Sequence, residues 1–398
     1  MPAPAALTAL LAVIGLLNSF CSDMVIPALP SLRDELQVTP WQAQQTISLF
    51  FAASAFMSLW YGALADAWGR RTVTLGALLI VALTAIGCLA AGRIEHIWIL
   101  RTLQGLAAGA GLVISRTIVR DLHIGPTAQK LLASIMMVQT LSLVATPVLG
   151  GWLAQTWGWR AVFVVIACIM LALALACWCW LPETLPREQR RPLQPASLWR
   201  SYLAVLRSGS FMRLSLAHVA NWIGMAMYAF SAPVFVIQHL GRSATEVYLV
   251  FAPITIGLVS GFVLFPKLAH RLGSARILGV AYRILGVAVA LNLGLCWLLP
   301  PGLIHTLPLL VYSMGMALAL PVLLDRALTP VHEYAGVASS CQTFLQFATM
   351  AIAAGMLAPL LWDSLFSLAL GTGIITAIGG WCVYRERQIR AMHPCTAP

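Results

Sequence analysis

Charged residues are scarce in this chain. Asp, Glu, Lys and Arg make up only 9% of its 398 residues, whereas 60% are hydrophobic and the mean hydropathy is +0.87. A soluble domain carries roughly a quarter charged residues, so this chain lacks the polar surface to cover a water-soluble globule. The shortage of charge predicts an integral membrane protein, and a helical one, because backbone polar groups must be satisfied internally in hydrocarbon.

Several chemical signatures are missing as well. No Gly-rich phosphate loop of the Walker type occurs, which argues against ATP-driven transport by this chain alone. No acid pair flanks a metal site and no nucleophile–base set is evident, which argues against a membrane-embedded prenyl or acyl transferase. Cys177 and Cys179 have no His or acid at ligand spacing. We therefore predict no enzymatic activity, no metal site and no cofactor.

The apolar residues fall into twelve runs of membrane-spanning length. They lie near residues 7–27, 41–64, 73–92, 97–119, 129–154, 160–181, 211–237, 244–268, 275–298, 305–325, 335–360 and 363–384. The one long connection, residues 182–210, is rich in Pro and Arg and is typical of a hydrated linker. We predict an N-terminal six-helix bundle over residues 1–181, a cytoplasmic linker over 182–210, and a C-terminal six-helix bundle with a short cytoplasmic tail over 211–398.

The basic residues are distributed unevenly between the two sides of the membrane. With both termini in the cytoplasm, most of the 24 Lys and Arg residues lie in cytoplasmic loops or the tail. This bias is typical of multi-pass membrane proteins. It accounts for the net charge of +11 without a nucleic-acid partner. The first apolar run also has no basic residue before it and no small-residue cleavage site after it, so no cleavable signal is predicted.

Two short charged loops indicate an internal duplication. Residues 62–71 read GALADAWGRR, and residues 268–273 read LAHRLG, about 204 positions later and again between two apolar runs. Prolines near the ends of spans 1 and 7, and within spans 5 and 11, repeat in the same order. Two related six-helix bundles are typical of transporters, which place the substrate site between the repeats.

One acidic residue interrupts the first apolar run. Asp23 lies one turn before Pro27, about 6 Å inside the outer end of the span at 1.5 Å per residue. Arg101 lies four residues into span 4, which begins on the same side, so both side chains are at similar depth. An ion pair that forms and breaks there would suit proton coupling, since a buried ionisable residue is a functional candidate. The alternatives are a permanent clamp, or an Asp23 that merely reaches outer water.

Other polar residues in the spans are weaker candidates. Arg116 and Arg120 lie on one helix face and either snorkel to the inner interface or pair with Asp66. Arg283 in span 9 is interpreted as a snorkelling or packed residue, with substrate contact as the alternative. Neutral polar residues offer a candidate cavity lining, although interhelical hydrogen bonds explain each of them equally well. They are Asn18, Gln104, Gln139, Asn221, Asn292, Gln342 and Gln346.

The loop at residues 62–71 is similar to the G-x-L-A-D-R-x-G-R-R signature of the major facilitator superfamily, with Ala67 at the usually basic position. Within that superfamily the chain resembles the drug:proton antiporters of the bicyclomycin/chloramphenicol resistance type. The resemblance implies a cytoplasmic latch that acts in the outward-facing state. Its members would be Gly62, Asp66, Gly69, Arg70, Arg71, Arg116 and Arg120. We expect Gly62 and Gly69 to permit a tight turn.

Span 4 and span 1 carry further family motifs. The sequence from Arg101 to Gly105 resembles R-x-x-Q-G, which implies that Arg101 and Gln104 act with Asp23 in proton coupling and substrate binding. Asp23 and the following Pro-Ala-Leu-Pro resemble the end of span 1 in these exporters. Residues 116–121 are similar to the family's R-A-I-V-R-D.

Span 5 resembles the antiporter signature G-x-x-x-G-P-x-x-G-G. Pro147, Gly150 and Gly151 match it, whereas Ser142 and Thr146 replace two glycines by small residues. The resemblance implies an antiporter hinge at Pro147, Gly150 and Gly151, where the glycines leave room for a neighbouring helix.

The sequence thus predicts proton-coupled efflux of drugs or amphipathic small molecules by alternating access across a bacterial inner membrane, driven by the proton gradient. The expected partners are a small-molecule substrate, protons and the lipid bilayer, with the chain acting as a monomer. The alternative is an exporter, importer or uniporter of a specific metabolite on the same fold. A non-transporting sensor is a third class, and it would tolerate loss of Asp23.

Overall fold

The computed structural model describes residues 4–123, 126–190 and 192–392. Within these ranges the regular structure is helical and contains no β-strand, in agreement with the predicted all-α class. The chain divides into two compact units, Met1–Gln194 and Pro195–Pro398. The division falls inside the segment predicted as a linker, so the first part of that segment belongs to unit 1 and the rest to unit 2.

Ten helices form unit 1. They are α1 Pro4–Ile14, α2 Leu17–Ser22, α3 Leu29–Leu36, α4 Pro40–Ser58, α5 Tyr61–Trp68, α6 Arg70–Leu89, α7 Ile94–Ala108, α8 Ala110–Leu122, α9 Pro126–Trp157 and α10 Trp159–Trp180. Short 3₁₀ turns occur at Ile26–Ala28 and Arg187–Gln189. α6 packs against α7 and α10, α4 packs against α7, and α9 packs against α1.

Local chemistry explains where α4 begins. Thr39 is its N-cap and accepts a hydrogen bond from the backbone N–H of Gln42 over 3.2 Å, while the Gln42 side chain accepts from the Thr39 backbone N–H over 2.9 Å. Pro40 stands at the first helical position, where its missing N–H has no helical partner to lose.

Unit 2 contains α11 Pro195–Arg207, α12 Gly209–Phe230, α13 Ala232–Val234, α14 Tyr248–Leu298, α15 Leu307–Leu328, α16 Ala335–Ile352, α17 Ala358–Leu361 and α18 Leu365–Met392. It also has π-helical turns at Phe235–His239 and Ala353–Leu357, and 3₁₀ turns at Ala244–Val247, Leu303–Thr306 and Thr329–Tyr334. α12 packs against α15, α16 and α18, and α14 packs along α15.

Among the described residues, nine helical segments are long and apolar enough to cross a membrane, or eleven if each of two bent pairs is one span. The bends are 55° between α4 and α5 and 45° between α12 and the segment Ala232–His239. The predicted first run is broken into α1, α2 and a 3₁₀ turn, so it contains no helix of spanning length. The spans are consistent with the twelve predicted runs.

The duplicated loops share a backbone turn. Gly69 has φ 95° between α5 and α6, and Gly273 has φ 72° where α14 is broken into two spans. A side chain at such a positive φ is strained, so glycine is favoured at both. The expectation for Gly62 was wrong, since Gly62 lies inside α5 with open space around its Cα. The turn needs only the second glycine of the motif.

Candidate functional site

Asp23 lies at the break in the first predicted span. It directly follows α2, and its backbone N–H still bonds the Ser19 carbonyl over 2.9 Å. The Ser22 hydroxyl lies 2.7 Å from the Asp23 carboxylate and 2.9 Å from the Asn18 carbonyl. Asp23 is half-buried, whereas its neighbours Ser22 and Met24 are buried. A helix break of this kind frees a carboxylate from the regular helix surface while keeping it at membrane depth.

Arg101 is fully buried in α7 and connects three helices. Its Nη1 donates to the Cys21 carbonyl of α2 over 2.7 Å and to Oε1 of Gln104, and its Nε lies 3.4 Å from the Thr46 carbonyl of α4. The guanidinium also lies over the Phe50 ring, 4.3 Å from its centroid, as in a cation–π contact. Its Nη2 has no partner within the described ranges. Arg101 therefore fixes these helices and keeps one spare donor.

Arg101 and Asp23 do not form an ion pair in the described part of the chain. Arg101 instead holds the backbone carbonyl of Cys21, two residues before Asp23. A permanent clamp between the two charges, one of the alternatives from the sequence, is therefore wrong for this conformation. α2 and α7 pack together, and Arg101 reaches the residue two positions before Asp23, whereas the equal depth of the two residues in a membrane stays a prediction. Gln104, which the motif placed beside Arg101, does contact it directly.

The loop motif builds a charge cluster at one end of unit 1. Arg70 is buried and lies 2.5 Å from Asp66 and 3.3 Å from Asp121 of α8. The Thr184 hydroxyl donates to the same Asp121 oxygen over 3.0 Å. Glu183 accepts from the Arg70 backbone N–H over 2.9 Å. We call these five residues the Arg70 cluster; it joins α5, α6, α8 and the segment after α10.

Arg71 and two neighbouring arginines lie outside the Arg70 cluster. Arg71 donates to the Trp178 carbonyl over 2.5 Å and approaches the ring of that residue. The suggested pairing of Arg116 or Arg120 with Asp66 is wrong, because Asp66 is bound by Arg70. Neither arginine has an ion-pair partner among the residues described. Arg116 is half-buried and Arg120 is exposed, which fits the snorkelling alternative.

The residues of α9 that were predicted as a hinge lie against the first span. Pro147 is buried inside the helix, where it cannot donate to the preceding turn. A Cβ on Gly150 would overlap the Met24 carbonyl, one residue after Asp23. Gly151 is buried beside it. Farther along α9, Gln139 donates over 3.0 Å to the Gly15 carbonyl, at the junction of α1 and α2. The broken first span thus rests directly on α9.

Unit 2 buries several polar side chains inside its helices. Asn221 of α12 is fully buried, and its side-chain amide faces the Tyr282 hydroxyl without a hydrogen bond of regular geometry. Its backbone carbonyl accepts from the Tyr312 hydroxyl over 3.3 Å. Gln342 is buried in α16 with its Nε2 unpaired, and Gln346, one turn later, is half-buried. In contrast, Asn292 is satisfied, since it donates to the Tyr228 hydroxyl over 2.6 Å.

Sequence reasoning missed two groups of residues. Asp121 was quoted as part of a motif without a role, and Glu183 was not singled out at all, although an acid directly after an apolar run is a usable signal. His218 was also missed. It is a buried histidine within span 7, it faces Gln346, and its Nδ1 has no partner in the described ranges. A lone His inside an apolar run is the signal for it.

Metal ligation has no support in the described part of the chain. No group of three or more His, Cys, Asp or Glu residues there is placed to hold a metal ion. Apolar helices of spanning length, broken at a half-buried carboxylate and carrying buried polar side chains, are instead the architecture of a multi-pass membrane transporter.

Comparison with known proteins identifies the family. The Major Facilitator Superfamily profile matches residues 11–354. A bicyclomycin resistance protein homolog of Haemophilus influenzae is 24% identical over 390 residues, covering 96% of both chains. A chloramphenicol resistance protein of Pseudomonas aeruginosa is 28% identical over 340 residues, covering 84% of this chain and 80% of that protein. This chain belongs to the Major Facilitator Superfamily, and the resemblance to resistance proteins of this type is confirmed.

A solved structure shows the same fold. The human organic anion transporter MFSD10 matches with a TM-score of 0.70 and 19% identity, covering 97% of this chain and 100% of that one. At this identity the similarity concerns the fold alone. Membership in a family of transporters also agrees with the prediction that the chain is not an enzyme.

Proposed function

We propose that this chain exports drugs or amphipathic small molecules by alternating access and exchanges them for protons, with the proton gradient as the energy source and no cofactor. The observation that carries the proposal is the position of Asp23. It is a half-buried carboxylate at a helix break, without a cationic partner in the described part of the chain, next to a backbone that Arg101 holds. Such a group can take up a proton or a cationic solute in turn.

Arg101 and Gln104 have a supporting part in this mechanism. Protonation of Asp23 removes a negative charge two residues from the carbonyl that Arg101 binds. The spare Nη2 of Arg101 can then contact a carboxylate, a water or a polar substrate group. Coupling arises if the proton and the substrate favour different states of this site, because a ligand shifts an equilibrium only by its differential affinity.

The other motifs have conformational roles in the proposal. The Arg70 cluster is the latch that holds the cytoplasmic end of unit 1 together. The tight contact of Gly150 with the first span transmits movement of that span to α9 at the hinge. Both termini are in the cytoplasm in this proposal, and the membrane is the inner membrane of a bacterium, as the relatives are bacterial.

A second candidate is export or uniport of one specific metabolite. It is favoured by the buried polar side chains of Asn221 and Gln342, since a site that hydrogen-bonds its ligand is selective. A broad drug exporter needs fewer such groups and relies on adaptable apolar contacts.

The test is proton release from energised inside-out vesicles on addition of chloramphenicol and a panel of lipophilic drugs. Native protein should release protons, and Asp23→Asn should not, although downhill drug movement through the variant persists. The matched control is Asp34→Asn, which changes an exposed acid at the end of α3 and should behave as native. Equal responses from native protein and Asp23→Asn would overturn the role of Asp23. Drug movement without proton release in the native protein would favour the uniporter.

A further inference from the structure

A groove of about 230 Å³ lies on the surface of unit 2, between the second half of α14 and α15. Five of its six lining residues are apolar, and the sixth is an arginine. The lining consists of Val280, Arg283, Ile284, Val287, Val311 and Met314. Val287 is 54% exposed, so the groove opens outward on a helical segment of membrane-spanning length. Its lining offers apolar contacts together with one positive charge.

Arg283 lies at a depth where a charged side chain is energetically unfavourable. It is seven residues beyond Arg276, the first residue of the span, which is about 10 Å at 1.5 Å per residue. Its side chain is exposed, and its Nε is 3.3 Å from the Gly279 carbonyl, one turn nearer to Arg276. No acidic residue in the described ranges pairs with it. A lipid-exposed arginine at such a depth is costly and is retained when a counter-charge reaches it.

A second arginine side chain, from α18, lies beside the same turn of α14. A guanidinium nitrogen of Arg387, from α18, lies 3.4 Å from the position that a Cβ on Gly279 would take. Arg387 thus adds a second positive charge near Arg283, which strengthens the attraction of this turn for an anion. Arg271, Arg276 and Arg385 lie near the same end of the bundle, which further attracts an anionic headgroup.

We propose that this groove is a binding site for one anionic phospholipid of the leaflet on the arginine-rich side. The headgroup phosphate binds Arg283, with Arg387 beside it. One acyl chain follows the groove toward mid-membrane along Ile284 and Val287. A soluble anion would be attracted by the two arginines but would make no contact with the apolar groove. A zwitterionic lipid would fill the groove, but its headgroup would be attracted only weakly by the two arginines. The inference is independent of which substrate the protein transports.

The test is native mass spectrometry of the full-length protein in detergent, titrated with phosphatidylglycerol or with phosphatidylcholine of identical acyl chains. Native protein should bind one phosphatidylglycerol at least about tenfold more tightly than Arg283→Gln does. Arg283→Lys keeps the charge and should retain most of the binding. Val287→Trp fills the groove with the charge intact and should also weaken binding.

The matched control is Arg276→Gln, which removes an exposed arginine on the same helix outside the groove and should weaken binding far less than Arg283→Gln does. Equal loss in Arg276→Gln and Arg283→Gln would mean a general attraction to the basic end and would overturn the site. Equal binding of the two lipids by native protein would overturn it too. A variant that misfolds would lose its monodisperse elution, which is measured on the same samples. If Arg283→Gln misfolds, Val287→Trp carries the comparison, and native-like binding by a folded Val287→Trp would overturn the site.

Discussion

The guanidinium of Arg101 donates to the carbonyl of Cys21 over 2.7 Å, and Cys21 stands two residues before Asp23. The arginine of the span 4 motif therefore acts on the main chain of the broken span rather than on the acid itself. Two peptide units separate Cys21 from Asp23. A change in the charge of Asp23 therefore changes the electrostatic potential at the carbonyl that Arg101 binds. Because of this contact, the position of the helix break after α2 depends on Arg101, as do the surroundings of the Asp23 carboxylate.

Arg101→Lys should lower the free energy of unfolding by about 2 kcal/mol. Lysine keeps the charge but lacks the planar fork that reaches Cys21, Thr46 and Gln104 together. The measurement is unfolding of the purified protein in detergent. Arg93→Lys, at an exposed site outside the bundle, is the control and should change stability by less than about 0.5 kcal/mol. Equal effects of the two substitutions would show that Arg101 does not fix these helices.

Within the Arg70 cluster, Asp121→Asn should destabilise the protein more than Asp66→Asn. The side chain of Asp121 is 26% exposed and also accepts from Thr184, whereas that of Asp66 is 48% exposed. We expect a loss of about 1–2 kcal/mol for the first and less than about 1 kcal/mol for the second. Thermal unfolding of both variants checks the order. The reverse order would mean that the (i, i+4) pair of Arg70 with Asp66 dominates the cluster.

Two motif glycines should respond to alanine in opposite directions. Gly150→Ala places a methyl group against the Met24 carbonyl, and rigid backbone cannot yield as a flexible side chain does, so a loss of about 2–3 kcal/mol is expected. Gly62→Ala adds a methyl group in open space within a helix and should gain about 0.5–1 kcal/mol. Stability measurements on the two variants suffice. Similar losses in both would contradict the structure and favour a turn at Gly62.

Gly69 and Gly273, the two loop glycines with positive φ, should both lower the free energy of unfolding when replaced by alanine, but by different amounts. Gly273→Ala meets no neighbouring atom and should cost about 1–2 kcal/mol, the strain of the backbone alone. In Gly69→Ala the new Cβ would collide with the Glu183 carboxylate and would lie 2.7 Å from the Arg190 guanidinium. This substitution should therefore lower the free energy of unfolding more than Gly273→Ala does. Comparison of their unfolding midpoints gives the answer. If both cost the same, Glu183 moves aside without loss.

Hydropathy and motif spacing predicted the class, the spans and the family, because these depend on the local run of residues. The break of the first span was not predicted, because the polar residues Asn18, Ser22 and Asp23 were interpreted as part of one continuous run that ends at Pro27. Counting residues from the ends of the spans placed Asp23 and Arg101 at a similar depth. It could not show toward which neighbouring helix each side chain points. The partners of Arg101 include backbone carbonyls, which every residue carries, so no residue type marks them. Glu183 binds the Arg70 backbone across 113 positions, a contact that no periodicity reveals.

Gly69 and Gly273 carry one further consequence. The second loop keeps the glycine and its left-handed turn, but His270, Ser274 and Ala275 stand where the first loop has Asp66, Arg70 and Arg71. In both loops the chain reverses between two spans, and a glycine supplies the positive φ that this reversal uses. The acid and the two arginines of the first loop have no charged counterparts at the matching positions of the second. The motif therefore consists of one residue that shapes the backbone and others that carry charge, and a loop can keep the first without the second.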